Sequence, residues 1–462
     1  MKQEETKYLY IPVEVKAREL NAKILLSLFA ADAGFFSVVG KRDTLRKKIR
    51  KMNSGIVIEK GLDSPGKEKN IREYQLCGNR VAAVDEEGLV YFEKYYINRR
   101  IREKALKNVD VFIAWGENQA DLIKNAFPDL EERVYICGNS RLDLLRKEFR
   151  NEYLSEVNDI KSRYNNFILI NSALSIVSLK EGFDGFLRKV KETGFLKDKK
   201  DADFFWGQVD YYKAIFNEMT DMVTRISKEF SDKKIIIRPH PSEDPVLWNE
   251  KVGHRNNVEV VYEGNVVPWL LAADIMIHHN CTTAIESFLL GKPAISYRSI
   301  SSDEYDCKIT HAASLQVFSI DELLNTLKRI LEQNEKLILP DNFRNKLQEY
   351  LCVTEDEYAS ERIVKELIIL TQTDNIRLIK YFSFIFKIYY RLYKFVGSNI
   401  IKRIFQPLRE KKQREYFDYK FPDTELAEVI AIVDKFKKAT GRFDNIKVDT
   451  IGKNLFALYR PH

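Results

Sequence analysis

DIMIHHNCTTAIESFLLGKPAISY, residues 274–297, runs from an apolar strand through a polar turn into an apolar helix and on to a second strand. Two short strands joined by a helix lie parallel, because a hairpin return would need only a few turn residues. The same alternation extends outward on both sides. NFILIN, KKIIIRPH and VEVVYEG precede it as strands. In the first half, KYLYIPVEV reads as a strand and ARELNAKILLSLFAADAG as a helix. FFSVVG, SGIVIEK, RVAAVD, VDVFIAWG and RVYICG follow as further strands. Alternation of this kind predicts parallel sheets covered by helices on both faces.

The expected class is therefore α/β, with two Rossmann-like domains facing a cleft and a C-terminal basic amphipathic region. The expected divisions are residues 1–140 as the first Rossmann-like domain, 141–165 as a charged helical linker and 166–370 as the second Rossmann-like domain. Residues 371–415 form the basic segment, and 416–462 a small α/β tail that either caps the protein or returns to the first domain. Ligands of open parallel sheets bind at the carboxyl ends of strands, so strand-end residues carry most weight.

Composition narrows the functional classes. The chain has 462 residues, 45% of them hydrophobic, which excludes wholesale disorder and leaves room for two domains. Five scattered cysteines (Cys77, Cys137, Cys281, Cys307, Cys352) fit neither a disulfide framework nor a zinc site, and point to reducing cytoplasm. MKQEETKYLY lacks a signal peptide's apolar core, and no apolar run is long enough to span a bilayer.

The net charge of +7 is unevenly spread. From Ile376 to Arg414 there are eleven basic residues and one acid, Glu410. Arg377, Lys380, Lys387, Arg391, Lys394 and Lys402, with Arg403 beside the last, form a cationic stripe at helical spacing opposite a wide aromatic and aliphatic face. That pattern fits a helix lying in a membrane interface, with a core-facing helix whose basic edge is solvated as the alternative. The expected location is the inner face of the cytoplasmic membrane, with an anionic surface as partner and no nucleic acid.

GLDSPGKE, residues 61–68, nearly matches a phosphate-binding loop but ends in Glu68 where a Ser or Thr is needed; it reads as a surface loop. Nicotinamide, zincin and EF-hand signatures are missing, so neither a cofactor nor a metal is expected.

Three strand-end groups stand out. Asp85-Glu86-Glu87-Gly88 follows RVAAV, and mutual repulsion among three carboxylates is expected to raise one pKa into the range of a general base. An ordinary acidic turn explains the same residues. Arg238-Pro239-His240-Pro241 follows KKIII, and its bracketed imidazole is placed to meet a phosphate. In the opening stretch, Asn280 precedes Thr282 and Thr283 at the helix start, with Glu286 one turn in. Hydroxyls and free backbone N–H groups there make an anion site, or simply a cap. His278 and His279 are adjacent on a strand, hence on opposite faces, and make a poor pair of metal ligands.

Glu86-Glu87-Gly88, His240-Pro241 and Thr282-Thr283 together resemble the motif set of bacterial sialyltransferases and of capsule or lipopolysaccharide Kdo transferases, GT-B enzymes that use CMP-activated keto sugars. IPVEVKAREL and GNSRLDLL also resemble the surface carbohydrate biosynthesis proteins. The resemblance implies a metal-independent glycosyltransferase acting on a lipid-linked glycan acceptor. It implies Glu86 as base, with Asp85, Glu87, Glu14 and Glu19 as alternatives. His240 would contact the donor phosphate and act as acid, alongside Arg238, Pro241 and Asn280; Thr282 and Thr283 would bind that phosphate and Glu286 the ribose. A CDP-polyol phosphotransferase of teichoic-acid type, a UDP-GlcNAc epimerase-like enzyme and a non-catalytic assembly scaffold share parts of the pattern.

Overall fold

The structure, a computed structural model, describes residues 6–178, 187, 190, 196, 198–292, 294–337, 342–372, 418 and 420–461. The chain divides into two compact units: Met1–Leu89 with Tyr96–Leu144 and Gln348–His462, and Val90–Tyr95 with Leu145–Leu347. Each is an α/β unit built on a parallel sheet, so the expected class and its pair of Rossmann-like domains are what the structure has.

In the first unit β1 (Lys7–Val13), β2 (Phe35–Lys41), β3 (Ile56–Lys60), β4 (Arg80–Val84), β5 (Val111–Ala114) and β6 (Val134–Ile136) stand in the order β2-β1-β3-β4-β5-β6, all parallel. The order reverses between β1 and β3, which makes the carboxyl ends of those strands the natural site. The helix Lys16–Asp32 buries nearly its whole circumference, yet Glu19, Lys23 and Ser27 recur at i+4 spacing as one buried polar stripe.

The second unit carries β7 (Phe167–Asn171), β8 (Lys234–Arg238), β9 (Val258–Val260), β10 (Ile275–His278), β11 (Ala294–Tyr297) and β12 (Ser314–Val317) in the order β12-β11-β10-β7-β8-β9. All pairings are parallel, and the switch point lies between β7 and β10. The helix Lys199–Glu229, capped by Asp198, lays Ile215, Phe216, Met219, Met222, Val223 and Ile226 onto Ile168, Ile170, Ile235, Ile237 and Ile277. Burying each such side chain is worth about 1.5–3 kcal/mol, which fixes this sheet under the long helix.

The tail returns to the first sheet. β13 (Lys447–Gly452) and β14 (Leu455–Tyr459) form a hairpin whose second strand pairs antiparallel with β2. Gly40, with φ 153°, permits the join: a Cβ there would lie 2.0 Å from the Asn454 carbonyl oxygen. The chain is already back in the first unit at Gln348, whereas the sequence reading runs the second domain on to 370. Asp143 makes this return local, accepting hydrogen bonds from Ala359 N (2.8 Å), Ser360 N (2.9 Å) and Ser360 Oγ (2.7 Å) at the head of the helix Ala359–Gln372.

Residues 61–68 also differ from expectation. Pro65 opens a helix, Pro65–Leu76, that buries Ile71 and Tyr74, so the segment is not a surface loop. Lys67 pairs with Glu59 at 2.5 Å. The basic stripe, Arg377, Lys380, Lys387, Arg391, Lys394, Lys402 and Arg403, lies outside the described residues. Among the described residues no helix is long and apolar enough to cross a membrane.

Candidate functional site

In the first unit the carboxyl ends of β1, β3 and β4 gather a lattice of alternating charges. Glu14, just after β1, meets Arg42 (2.6 Å), Lys60 (3.3 Å) and Lys420 (3.1 Å). Lys60, the last residue of β3, also binds Glu19 at 2.5 Å, and Glu19 accepts from Glu14 N at 2.9 Å. Each member of the acidic turn after β4 has its own cation: Asp85 takes Arg100, Glu86 takes Lys23, and Glu87 takes both arms of Arg18 (2.7 and 3.0 Å).

This pairing overturns the repulsion argument. Burial pushes the Glu86 carboxyl up, but Lys23 and Lys60 outweigh it and hold its pKa down to about 2. Burial likewise opposes ionisation of Glu87 and Glu14, and Arg18 with Lys60 for the first, Lys60 with Arg42 for the second, keep both well below the usual range. Asp85 is fully buried and holds the turn itself, accepting from Glu87 N (3.2 Å) and Tyr96 Oη (3.3 Å) besides Arg100. Of the five candidate bases, Asp85 is thus committed to structure, while Glu86 and Glu87 stand side by side with Lys23 and Arg18. The lysine that matters most, Lys23, carried a signal in the sequence: a single charge four residues after Glu19 inside an apolar helix.

In the second unit β8, β7 and β10 are neighbours, and their carboxyl ends bring together His240, Asn171 with Ser172, and His278 to Thr283. Ser242 N donates to His240 Nδ1 at 3.2 Å, with Ser242 Oγ also 2.7 Å from it. An N–H can only donate, so Nδ1 holds the lone pair and the imidazole proton sits on Nε2. Glu243, missed in the sequence, ties two strand ends together. It accepts from Ser172 Oγ (3.0 and 2.8 Å), Leu174 N (2.7 Å) and Trp248 Nε1 (2.9 Å), and burial raises its pKa despite them.

The other expected residues divide. Thr283 Oγ1 accepts from Asn171 Nδ2 at 3.0 Å and lies 3.0 Å from Cys281 Sγ, while Thr282 stands at the N-cap without a side-chain capping bond. That helix, Thr283–Leu289, is only seven residues, so its dipole is weak. Glu286 is buried one turn in. Asn280 is engaged within the protein: at φ 57° it donates to Tyr212 Oη (2.9 Å) and Tyr305 O (3.1 Å) and accepts from Cys307 N (2.7 Å) and Thr310 Oγ1 (3.1 Å). All four of its amide's bonds are then used. Arg238 is engaged likewise. Its guanidinium turns away to the carbonyls of Glu263 (2.7 Å) and Gly264 (3.3 Å) and stacks 4.7 Å over Trp269, and burial lowers its pKa to about 10. Pro241 follows His240 and has neither a polar side chain nor an N–H to offer.

No family model matches the chain, and no curated protein matches it. Solved structures do resemble it in overall course. UDP-GlcNAc 2-epimerase from Methanocaldococcus jannaschii, in complex with UDP-GlcNAc and UDP, is 14% identical over 79% of this chain and 100% of its own, with a TM-score of 0.45. The Neisseria meningitidis enzyme bound to UDP-GlcNAc is 13% identical over 79% of this chain and 100% of its own, at 0.45. The wall teichoic acid polymerase TagF is 14% identical over 80% of this chain and 90% of its own, at 0.47. At these values the likenesses carry no assignment of substrate.

Proposed function

We propose that this chain is an enzyme acting on a nucleotide-activated sugar in surface-polysaccharide assembly, with the nucleotide seated at the carboxyl ends of β7, β8 and β10. One observation carries the reading. Asn171, at the switch point and 3% exposed, buries an amide oxygen that has no partner among the described residues. A buried acceptor left unpaired costs about 1–3 kcal/mol, so a donor belonging to a ligand is the natural partner. Thr282 and the Nε2–H of His240 stand at the ends of the two strands flanking β7. His240 then donates its Nε2 proton to the departing phosphate, Thr282 offers its hydroxyl to the same group, and Glu286 meets the ribose.

Glu86 remains our base, and Lys23 sets its protonation. At a pKa of about 2 it is ionised throughout the physiological range and weakly basic, so it accepts an acceptor-hydroxyl proton only where Lys23 is drawn off it. Kdo transfer from CMP has no support in this geometry and is widened here to nucleotide-sugar chemistry in general.

A panel of CMP, CDP, UDP and GDP, read as a shift in Tm, tests the proposal and names the nucleotide. A nucleotide at a hundred times its Kd contributes about 2.7 kcal/mol. CMP selectivity favours keto-sugar transfer, CDP a polyol-phosphate transferase and UDP an epimerase-like enzyme. Folded protein that responds to none of the four ends the nucleotide reading.

A further inference from the structure

Behind the strand-end loop of β10, three buried side chains converge on one point. His279 Nε2 lies 3.3 Å from Asp306 Oδ1, His311 Nε2 lies 3.7 Å from the same oxygen, and all three ligand atoms fall within 4.8 Å of one another. His279 and His311 are each 2% exposed and Asp306 is 6% exposed.

The hydrogen bonds around them set an imidazole lone pair against a carboxylate. His279 Nδ1 lies 3.0 Å from the Tyr297 carbonyl, which can only accept, so that nitrogen carries the proton. Its Nε2 then points a lone pair at a carboxylate oxygen, an arrangement that repels unless a proton or a metal lies between. His311 faces the same oxygen from the other side, with a hydroxyl that can donate or accept at its second nitrogen. Its Nδ1 is held by Ser296 Oγ at 2.7 Å, and its buried Nε2 has no partner among the described residues. By contrast, the neighbouring His278 has both nitrogens occupied, by Ser314 Oγ (2.7 Å) and Cys281 N (3.3 Å).

We propose that His279 Nε2, His311 Nε2 and Asp306 Oδ1 bind a divalent first-row transition metal, zinc foremost. Two imidazoles and one carboxylate are a donor set for zinc or its neighbours rather than for calcium or magnesium. The backbone carbonyl on His279 and the hydroxyl on His311 supply the outer contacts that metal-bound imidazoles make through their second nitrogen. Tyr211 Oη donates to Asp306 Oδ1 at 2.5 Å and lies 3.4 Å from His279 Nε2, where it orients the carboxylate and would meet a bound water. The remaining Asp306 oxygen is held by Arg298 (2.8 Å) and Ser302 N (3.2 Å), which fixes the carboxylate but also sets one positive charge beside the metal. The rival occupant is a proton, giving an imidazolium–carboxylate pair with no metal.

The ion would pin the segment after β11 to the end of β10, the place where Asn280 already grips Tyr305, Cys307 and Thr310. Its role is structural, and it stands apart from the nucleotide reading. No metal signature marks these residues in the sequence, since the partners of His279 lie 27 and 32 residues downstream.

Metal content of the full-length protein, purified with zinc in the medium and dialysed, decides between metal and proton. About one zinc per chain is expected, retained in the exposed-site control His254→Ala and lost in His311→Asn and Asp306→Asn. Adding zinc to chelator-treated wild type should raise Tm by on the order of 5 °C. If the variants do not fold, cobalt titration of the wild type replaces them: a spectrum of nitrogen and oxygen ligation supports the site, and sulfur-to-cobalt charge transfer overturns it. Folded wild type that holds no stoichiometric metal and gains no Tm from zinc, cobalt, nickel, manganese or iron(II) establishes the proton instead.

Discussion

Lys23 sits in the middle of an apolar helix and Glu86 in a row of three carboxylates, and each makes the other's burial tolerable. Both side chains are under 5% exposed. Removing one partner strands the other's charge in a low-dielectric interior, a loss of about 3–5 kcal/mol, whereas replacing both with neutral groups costs far less. Lys23→Met should therefore lower stability to urea by that amount, and Lys23→Met/Glu86→Gln should recover most of it. Equal losses in the two variants would show that the ion pair is not what the site depends on. The pH dependence has a definite sign. Glu86 is depressed from 4.5 to about 2, so its stabilisation is complete above pH 4.5 and is lost as pH falls through 2. In Lys23→Met that acid-side loss should shrink. Sequence reasoning found the three carboxylates but not their cations, because Arg18, Lys23 and Arg100 come from helices on other stretches of chain. Repulsion was inferred from neighbours along the chain; neutralisation came from neighbours in space.

At the scale of elements, the strands that carry unbroken apolar runs were legible, and those that do not were not. FILIN, KIIIR and AISY are β7, β8 and β11, buried on both faces as parallel strands require. SLQV of β12 has the length of a turn and two half-buried residues, a weak pattern at a sheet edge. The hairpin of β13 and β14 read only as a helix–strand tail, since nothing local says that its partner is β2, over four hundred residues earlier. That hairpin closes an otherwise bare edge. Leu455, Phe456 and Leu458 are fully buried there, and their loss alone is worth on the order of 5 kcal/mol. Removing residues 446–462 should also leave β2 with a row of unpaired N–H and C=O groups, an open template for association. A shortened chain should run as heterogeneous oligomers in size-exclusion chromatography with a Tm lowered by several degrees. A monodisperse product of unchanged Tm would mean that the hairpin decorates the sheet without sealing it.

For the whole molecule, strand–helix alternation reveals the number and kind of sheets but not which stretch belongs to which unit. Residues from Gln348 onward rejoin the first unit because Asp143 caps a helix more than two hundred residues away, a contact no window of sequence contains. The charge distribution, in contrast, is wholly a property of sequence. Ile376 to Arg414 carries +10, and the total of +7 less that +10 leaves −3 on the rest. A near-neutral body with one cationic segment suits attachment to an anionic surface, and we propose that this segment docks the chain there. Each lysine near such a surface contributes about 1 kcal/mol. Changing Lys380, Lys387 and Lys394 to Gln should therefore weaken co-sedimentation with phosphatidylglycerol vesicles by about two orders of magnitude, against little change with phosphatidylcholine alone. Raising the salt should mimic the substitutions, because screening acts on the same term. Deleting 376–414 should abolish vesicle binding while leaving nucleotide-induced shifts in Tm intact, which separates docking from chemistry. Undiminished binding by the deletion variant would place the basic segment elsewhere in the protein's work, as the solvated edge of a packed helix.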